Sequence, residues 1–322
     1  MAAPKSQACF LLTVLFVGFS CAFVNSSGRF GRSCPRTVTR AAAADRPVVA
    51  VVGANGRTGS LAVEAIAKGG LAKARALTRS GNWQPEDASI NQEQFEVGQA
   101  DVTDASSLAA AFAGVAAVVF AAAYSRGKTK PQDVDNAGLV NCAKAVLEQG
   151  VERLVVVSSA SVTRPYAPVG ILLNTIGSGV LSEKLEGEDK VKELFEGSES
   201  SYTIVRPGGL TMEPPAGFVE LQFNQGDTYV GSVPRADVAA VCAVAASDPL
   251  NSGANKTFEM FKGRGRSPLL PWYRGKTRYM VGGVSDCSAM LARLRPDKEV
   301  YDIPGALPIG LADFEMVWAR PK

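Results

Sequence analysis

Short apolar runs alternate with longer amphipathic stretches from Arg46 onward. The first run, Val48–Val52, is apolar at every position, as expected of a strand that is buried on both faces of a sheet. The same reasoning predicts strands at residues 74–78, 95–97, 116–122, 154–157 and 202–205. Helices are predicted up to residue 68 and over residues 105–112, 134–149 and 181–195. This alternation predicts an α/β fold: a Rossmann-like doubly wound parallel sheet with helices on both faces and a short C-terminal extension.

One part of this pattern also has the length of a membrane span. Residues 105–123 carry no charge over 19 positions. Alanine dominates the stretch and drives membrane insertion only weakly, and Gly114 divides it into two halves. We therefore interpret it as a helix followed by a strand, and we predict no transmembrane span in the mature protein.

The first 44 residues differ in composition from the rest of the chain. They hold five basic residues and no Asp or Glu, so the body keeps 29 basic and 31 acidic residues and a charge of −2. Lys5 precedes an apolar run that ends at Phe19, and the small residues Ser20 and Ala22 follow, which predicts a secretory signal peptide over residues 1–22. Residues 23–44 are rich in Arg and Ser and lack acids, which is typical of a transit peptide.

The two leader segments together resemble the bipartite presequence of plastid proteins in algae with secondary plastids. They predict import into a plastid, with a secreted protein carrying a basic propeptide as the alternative. The cysteines favour the plastid, because the body keeps only Cys142, Cys242 and Cys287, which are odd in number and widely spaced. We expect three reduced, mostly buried thiols. Because the body is not generally basic, no DNA partner is expected.

The chain contains no histidine. This excludes Ser-His-Asp and Cys-His catalytic centres within the chain, as well as zinc sites that use His ligands, and no metal site is predicted. Acid–base chemistry has to come from Asp, Glu, Lys, Tyr, Ser or a cofactor.

The strongest chemical signal is a glycine-rich turn directly after the first strand. Gly53, Gly56 and Gly59 form a Gly-x-x-Gly-x-x-Gly pattern that leads into a helix. Such glycines permit the tight turn, let a pyrophosphate approach the backbone and let the helix pack closely on the sheet. The amides at the helix N-terminus then face the phosphates. The predicted cofactor-binding residues of this turn are Gly53, Asn55, Gly56, Arg57, Thr58 and Gly59.

The end of the second predicted strand indicates which dinucleotide binds. NAD sites usually carry an Asp or Glu about 20 residues after the glycine turn. Arg79 stands at that position, 20 residues after Gly59. A carboxylate would repel the 2′-phosphate of NADP, whereas an Arg binds it through a fork of donors. Arg57 is predicted to reach the same region, so the two arginines favour NADP(H) over NAD(H).

Several further motifs lie between residues 47 and 261. They are QADVTD at 99–104, AAA at 121–123, VSS at 157–159, YTIVRPGGL at 202–210 and RADVA at 235–239. Together with GANGRTG at 53–59, they make this region resemble the atypical short-chain dehydrogenase/reductase superfamily, in particular its NAD(P)-binding, NmrA-like members that are common in plastids. We therefore divide the chain into the leader, a dinucleotide-binding domain over residues 45–261 and an extension over residues 262–322.

The resemblance implies further positions for the cofactor. Asp101 and Val102 would border the adenine, and Ala121, Ala122 and Ala123 would line the cofactor. Ser158 and Ser159 would face the nicotinamide end, and the segment that contains Pro207 and Gly208 would close over that end.

The catalytic pair of the superfamily is incomplete in this chain. Tyr-dependent members carry Tyr-x-x-x-Lys on the helix after the fifth strand, where the Lys assists the phenol and holds the ribose. Tyr166 lies in this region, but the residue four positions later is Gly170. Tyr124 does have Lys128 four positions later, yet it follows the fourth strand, and we interpret that spacing as coincidence.

Lys184 lies on the predicted helix after the fifth strand, where atypical members often keep a Lys. Its role is either a contact to the ribose or an ordinary surface pairing with Glu188. The predicted catalytic residues are Ser158, Tyr166 and Lys184.

Two functions follow from this sequence. The first is an NADPH-dependent oxidoreductase acting on a small plastid substrate, with the proton coming from water, Ser158 or Tyr166. The second is a cofactor-binding scaffold without turnover, such as an assembly, RNA-binding or redox-sensing factor. The missing Tyr-x-x-x-Lys favours the second, and the glycine turn fits both.

The extension begins with a basic segment, residues 262–278, in which cations are interleaved with aromatics such as Trp272 and Tyr273. This pattern suits single-stranded RNA, an anionic surface such as the thylakoid membrane, or another plastid protein. We favour a plainer interpretation, in which the segment packs over the substrate opening of its own chain. A short helix is predicted over residues 285–294, with Ser285 as its cap.

Overall fold

The computed structural model describes residues 46–125, 127–164, 179–227, 229, 231–263 and 279–300. The predicted signal and transit peptides lie outside these ranges. The strands are β1 (Val48–Val52), β2 (Lys73–Thr78), β3 (Phe95–Gln99), β4 (Ala117–Phe120), β5 (Arg153–Val157), β6 (Ser201–Pro207), β7 (Gly209–Thr211), β8 (Leu221–Gln225), β9 (Ser232–Pro234), β10 (Lys256–Lys262) and β11 (Tyr279–Gly282).

The α-helices lie between and after the strands. They are α1 (Arg57–Gly69), α2 (Ala105–Ala111), α3 (Ala137–Glu148), α4 (Val180–Phe195), α5 (Arg235–Ser247), α6 (Cys287–Arg293) and α7 (Asp297–Val300). A π-helical turn, Gln132–Asn136, leads into α3, and a 3-10 turn, Phe218–Glu220, precedes β8.

Nine strands form one sheet in the order β11-β8-β10-β6-β5-β4-β1-β2-β3. The seven strands from β3 to β10 in this order are parallel, β8 is antiparallel to β10, and β11 is antiparallel to β8. β7 and β9 form a separate parallel pair. The strand order reverses between β1 and β4, and in doubly wound sheets ligands bind at this point, outside the carboxyl ends of the strands.

Two apolar cores cover the faces of this sheet. The first packs β1 against α1 and α5, and the second packs it against α2 and α3. The residues of β1 alternate between them: Val49 and Val51 belong to the first core, and Ala50 and Val52 to the second. This two-sided burial is the reason why the strand is apolar at every position.

The predicted fold class is confirmed, including the interpretation of the uncharged stretch. Residues 105–123 fold as α2 and β4, with Gly114 between them in the left-handed conformation at φ +70°. Among the described residues, no helix combines the length and the apolar character that crossing a bilayer requires.

The sheet continues beyond the predicted domain boundary at Phe261. β10 runs to Lys262, and β11 adds an edge strand from the predicted extension. The predicted helix forms as α6, but its cap is Asp286, which accepts hydrogen bonds from the amides of Ser288 and Ala289 at 2.9 and 3.4 Å. Residues 279–300 therefore include a strand of the same sheet, and the predicted domain division itself stays a prediction. Residues 264–278 of the basic segment lie outside the described residues, so its partners stay predictions.

The three cysteines of the body, Cys142, Cys242 and Cys287, are free and buried, as predicted. Burial raises the pKa of Cys242 to about 12, and it raises the pKa of each of the other two thiols as well. Thiols held in the protonated form in this way are poor nucleophiles.

Candidate functional site

The glycine turn joins β1 to α1 with a backbone that leaves no room for a side chain at Gly53 or Gly59. Gly53 has φ +83°, and a Cβ on it would lie 2.8 Å from the Cα atom of Ala122, which follows β4. A Cβ on Gly59 would lie 2.2 Å from the carbonyl oxygen of Gly53. Gly56 caps α1, so the amides of the first helical turn have no acceptor within the helix. A pyrophosphate fits this cradle, because it needs close backbone approach and unpaired amides.

A cleft of about 520 Å³ opens beside this turn at the carboxyl ends of β1 to β4. Eight of the predicted cofactor-binding residues line it: Gly53, Asn55, Gly56, Arg79, Asp101, Val102, Ala121 and Ala122. Ala123, which the resemblance also predicted, lines it as well, and polar lining residues without a predicted role are Thr78, Ser80, Thr103, Ser125 and Thr129. Most of these lie next to a predicted residue at the same strand end, so the strand boundaries themselves were the signal for them.

Six predicted cofactor residues lie outside the lining of this cleft: Arg57, Thr58, Gly59, Ser159, Pro207 and Gly208. The first three form the opening turn of α1. For Gly208 the structure gives a packing reason, because a Cβ there would lie 2.2 Å from the carbonyl oxygen of Gly231. The nicotinamide end that Ser159 and Pro207 were predicted to border stays a prediction.

Arg57 lies within electrostatic reach of a second arginine, Arg235. Burial, and then the positive charge of Arg57, lower the pKa of Arg235 below its ordinary value. Arg57 therefore lies near Arg235, at the beginning of α5. Of Arg57 and Arg79, Arg79 lines the cleft, and the expectation that Arg57 serves the same region stays a prediction.

Arg79 follows β2 directly and is exposed. Its carbonyl oxygen accepts a hydrogen bond from Nε2 of Gln99 at 2.9 Å, which fixes the backbone at this point. No ion pair of its guanidinium is found among the described residues. The carboxylate in the same cleft, Asp101, accepts hydrogen bonds from the amide and hydroxyl of Thr103 at 2.9 and 2.8 Å. The end of β2 thus offers a free cation where an NAD site usually offers an acid.

Lys184 forms an ion pair with a buried carboxylate. Its Nζ lies 2.7 Å from Oδ1 of Asp135, whose side chain is fully buried. Oδ2 of Asp135 accepts a hydrogen bond from the backbone amide of Tyr124 at 2.9 Å. The alternative of a surface pairing between Lys184 and Glu188 is wrong, because Glu188 is buried and binds other partners.

The close approach of α4 to the π-helical turn makes this ion pair possible. A Cβ on Gly187 would lie 2.7 Å from the carbonyl oxygen of Asp135. The glycine therefore allows α4 to pack directly on the turn that carries Asp135, one helical turn away from Lys184.

The position of the missing tyrosine can be read from Lys184. The residue four positions before it is Val180, which begins α4. An apolar side chain therefore stands where Tyr-dependent members carry the phenol. Counting backward from Lys184 would have shown this from the sequence. Tyr166 lies outside the described residues, and its role stays a prediction.

Ser158 belongs to a buried polar network. Its Oγ donates a hydrogen bond to Oε1 of Glu188. It continues the alternation that places Leu154 and Val156 in the core beside α3. Burial alone would raise the pKa of Glu188, but the charge and hydrogen bonds of Arg206 hold this pKa below its ordinary value. An ionised Glu188 can only accept, so the hydroxyl proton of Ser158 is already used, and this placement does not support the predicted catalytic role.

The network continues from Arg206 towards β8. Nη1 of Arg206 lies 3.4 Å from Oε1 of Glu259, and Oε2 of Glu259 accepts hydrogen bonds from Asn224 Nδ2 and the amide of Asp227 at 2.7 and 2.8 Å. Burial raises the pKa of Glu259 to about 7, the charge of Asp227 adds to this effect, and Arg206 opposes it. Asp227 accepts from the amide of Ser161 at 2.8 Å, so the network ends at the loop that follows β5.

Residues 53–249 match the model of a family described as NAD(P)H-binding. This match covers more than half of the chain. The chain belongs to the NAD(P)H-binding family. The resemblance to atypical, NmrA-like short-chain dehydrogenases/reductases is confirmed, and the match begins at the first glycine of the turn.

Relatives of this NAD(P)H-binding protein include chloroplast proteins. It is 35% identical over 210 residues to "Uncharacterized protein At2g34460, chloroplastic" of Arabidopsis thaliana, a match that covers 62% of this chain and 71% of the relative. It is 32% identical over 226 residues to "Protein TIC 62, chloroplastic" of Oryza sativa subsp. japonica, covering 63% of this chain and 44% of that longer protein.

Solved structures share the fold. A Bacillus halodurans protein whose name places it among NAD-dependent epimerases/dehydratases is 27% identical, with a TM-score of 0.56, and the match covers 69% of this chain and 96% of that one. A short-chain dehydrogenase/reductase from Veillonella parvula, solved in complex with NADP, gives a TM-score of 0.52 at 15% identity and covers 69% of this chain and 97% of that one.

Proposed function

We propose that this protein is an NADPH-dependent oxidoreductase that acts on a small substrate in a plastid. The observation that carries the choice of NADPH is Arg79, a cation in the cleft at the end of β2 that forms no ion pair with any described residue. A guanidinium there is placed to bind a 2′-phosphate, and the usual acid of an NAD site is missing.

Each part of the chain then has a task in holding the cofactor. The glycine turn and the first amides of α1 bind the pyrophosphate, and Ala121 and Ala122 line the cleft beside the turn. Lys184, which Asp135 holds in an ion pair, is the cation that we assign to the ribose. The bound nicotinamide supplies hydride transfer, and the protein supplies binding and orientation.

The plastid location rests on the leader and on the relatives. The leader combines an apolar run with an acid-free, Arg-rich segment. The names of several relatives describe chloroplast proteins. N-terminal sequencing of the protein from its native source should give a mature chain that starts near residues 41–45. A chain that starts at Met1 or Phe23 contradicts plastid import.

Calorimetry with NADPH and NADH tests the cofactor assignment. Each charge-assisted contact to a phosphate contributes about 1.5–3 kcal/mol. Arg79→Ala should therefore weaken NADPH binding about 10–100-fold and leave NADH binding nearly unchanged. Arg293→Ala, which removes an exposed charge from the last turn of α6, is the control. Equal losses for both cofactors in Arg79→Ala would exclude Arg79 as the phosphate ligand.

A cofactor-binding scaffold is the second candidate. The chain after β7 exposes apolar side chains, with Met212 69% and Val219 55% exposed, and such residues suit contact with another protein. NADPH oxidation measured against aldehydes, ketones, quinones and flavins separates the two functions. Turnover with any of these acceptors supports the oxidoreductase. Binding of NADPH without turnover, together with an NADPH-dependent affinity for a plastid partner, supports the scaffold.

A further inference from the structure

Arg235 is a buried cation without a paired anion in the described part of the chain. It begins α5, and its side chain is only 9% exposed. Its Nη1 atom lies 3.4 and 3.5 Å from the carbonyl oxygens of Leu210 and Thr211 and 3.5 Å from Sδ of Met212, at the outer limit of hydrogen bonding. Buried charges in proteins are normally paired, so this guanidinium has unused capacity to bind an anion.

Two carboxylates close to Arg235 along the chain bind other groups. Asp237, in the first turn of α5, accepts hydrogen bonds from the backbone amides of residues 216 and 217 at 2.8 and 3.0 Å. Glu213 forms an ion pair with Lys262 at 3.2 Å. These contacts hold the segment after β7 against the start of α5 and leave Arg235 without a carboxylate.

The surroundings of Arg235 are positive. Burial, and then the charge of Arg57, disfavour the charged form of Arg235 and lower its pKa. The N-caps of α1 and α5 are Gly56 and Pro234, which make no side-chain cap, so the first amides of both helices add positive potential. Oγ1 of Thr211 is buried and has no hydrogen-bond partner among the described residues. A bound anion would relieve the repulsion between the arginines and could accept from this hydroxyl.

Exposed apolar side chains border this cation. β7 pairs with β9, and the register joins Thr211 to Pro234, which places Met212 beside the start of α5. Leu210, Met212 and Val219 are exposed, and we call these three side chains the apolar rim. A buried cation next to exposed apolar side chains suits a ligand that combines an acid group with an apolar body.

We propose that Arg235 binds the carboxylate or phosphate of the substrate and that the apolar rim binds the substrate's apolar part. This assignment rests on the proposed oxidoreductase and names its substrate class, amphipathic anions. The guanidinium fork can bind two oxygen atoms of either acid group. The rim follows the segment with Pro207 and Gly208, for which the resemblance implies a place over the nicotinamide end. Neither Arg235 nor the rim lines the dinucleotide cleft.

Calorimetry with the full chain tests the anion site, with octanoate and octyl phosphate below their micelle concentrations as probes. Both should bind, and octanamide, which lacks the charge, should bind at least tenfold more weakly. Arg235→Met keeps an apolar stem and should weaken octanoate binding about 10–100-fold, the loss expected for one charge-assisted contact. Arg235→Lys keeps the charge without the fork and should show an intermediate affinity.

Lys68→Met is the control for net charge. Lys68 lies in the last turn of α1 and pairs with Asp87 at 2.6 Å, so its removal should leave octanoate binding unchanged. If wild type binds neither probe, or if Arg235→Met binds octanoate as wild type does, the proposal is wrong.

The length of the probe tests the apolar rim. Affinity for wild type should rise from butanoate to octanoate, because the longer chain covers more apolar surface. Met212→Ser should reduce this rise. An equal rise in Met212→Ser and wild type would contradict the placement of the apolar part.

The pyrophosphate of the cofactor is a second source of the same chemistry. If it were the ligand of Arg235, Arg235→Met would weaken NADPH and NADH binding by equal factors, since both cofactors carry it. We expect both affinities to stay within threefold of wild type. Equal losses of tenfold or more would make Arg235 a cofactor ligand and overturn the substrate assignment. If octanoate binds through Arg235 but no acceptor is reduced, the anion site is supported and the oxidoreductase is not.

Discussion

The guanidinium of Arg206 and the carboxylate of Glu188 form an ion pair at 2.5 Å, and neither side chain is more than 1% exposed. The pair connects β6 to α4, directly behind the loop that follows β5. The hydroxyl of Ser158 and the carboxylate of Glu259 occupy further hydrogen-bonding positions around it. A buried pair of this kind adds little net stability by itself, but removing one partner leaves an uncompensated charge.

Arg206→Met should therefore lower the free energy of unfolding by about 3–5 kcal/mol. Urea denaturation followed by circular dichroism measures this loss. Lys190→Met serves as the control, because the Lys190–Glu186 pair is exposed and should contribute less than about 1 kcal/mol. Equal midpoints for the two variants would show that the buried charges are not coupled to folding.

Glu259 should make the stability of the protein decrease as the pH rises. Its pKa is raised in the folded state to about 7 from 4.5, because it is buried and faces Asp227, and Arg206 only partly opposes this. Between these two values the folded state binds more protons than the unfolded state. The stability contribution is therefore fully present below about pH 4.5 and is lost as the pH rises through 7.

Glu259→Gln should remove this dependence, because glutamine resembles the protonated acid and does not titrate. Urea denaturation at several pH values measures the free energy of unfolding of both proteins. Between about pH 5 and 8 this free energy should fall by about 1–3 kcal/mol more in the wild type than in Glu259→Gln. If the free energies of unfolding of the two proteins change in parallel with pH, Glu259 is ionised in the folded protein over this whole pH range.

The sequence predicted β1 and the glycine turn better than the side-chain contacts around Lys184. β1 and the glycine turn could be predicted because a two-sided buried strand and a Gly-x-x-Gly-x-x-Gly turn are local patterns. Tertiary contacts determined the rest. Lys184 and Glu188 stand one helical turn apart and suggest a surface pair, yet the close packing at Gly187 sends Lys184 to Asp135, and Arg206 binds Glu188. The spacing of residues in the sequence does not show which of these ion pairs forms.

The end of the sheet shows the same limit. β11 pairs antiparallel with β8, so the alternation that predicted the parallel strands gives no signal for it. Its place depends on pairing between distant segments. The boundary was predicted at Phe261 because the family resemblance ends there. The extent of the sheet is determined by backbone hydrogen bonds, which continue to β11.

Gly56→Val should abolish cofactor binding while leaving a folded protein. A Cβ at Gly56 would lie 3.1 Å from the carbonyl oxygen of Gly53, and a branched side chain would fill the space where the pyrophosphate meets the backbone. Gly56→Ala adds one methyl group and should retain weaker binding. NADPH titration measures the affinities, and circular dichroism confirms the fold. Wild-type affinity in Gly56→Val would place the pyrophosphate elsewhere.

Gly187→Ala should be destabilising although alanine favours helices. The added methyl group would lie 2.7 Å from the carbonyl oxygen of Asp135 and 3.2 Å from Cδ2 of Leu139, and a backbone atom cannot yield as a flexible side chain does. Overpacking costs about 1–3 kcal/mol, which exceeds the gain of about 1 kcal/mol in helix propensity. Gly69→Ala, at the end of α1 with no atom within 4 Å of the new Cβ, is the matched control and should be neutral or stabilising.

Because relief of the clash moves α4 away from the π-helical turn, Gly187→Ala should also separate Lys184 from Asp135 and weaken NADPH binding. If Gly187→Ala is as stable as Gly69→Ala and binds NADPH normally, α4 does not depend on this close contact to position Lys184.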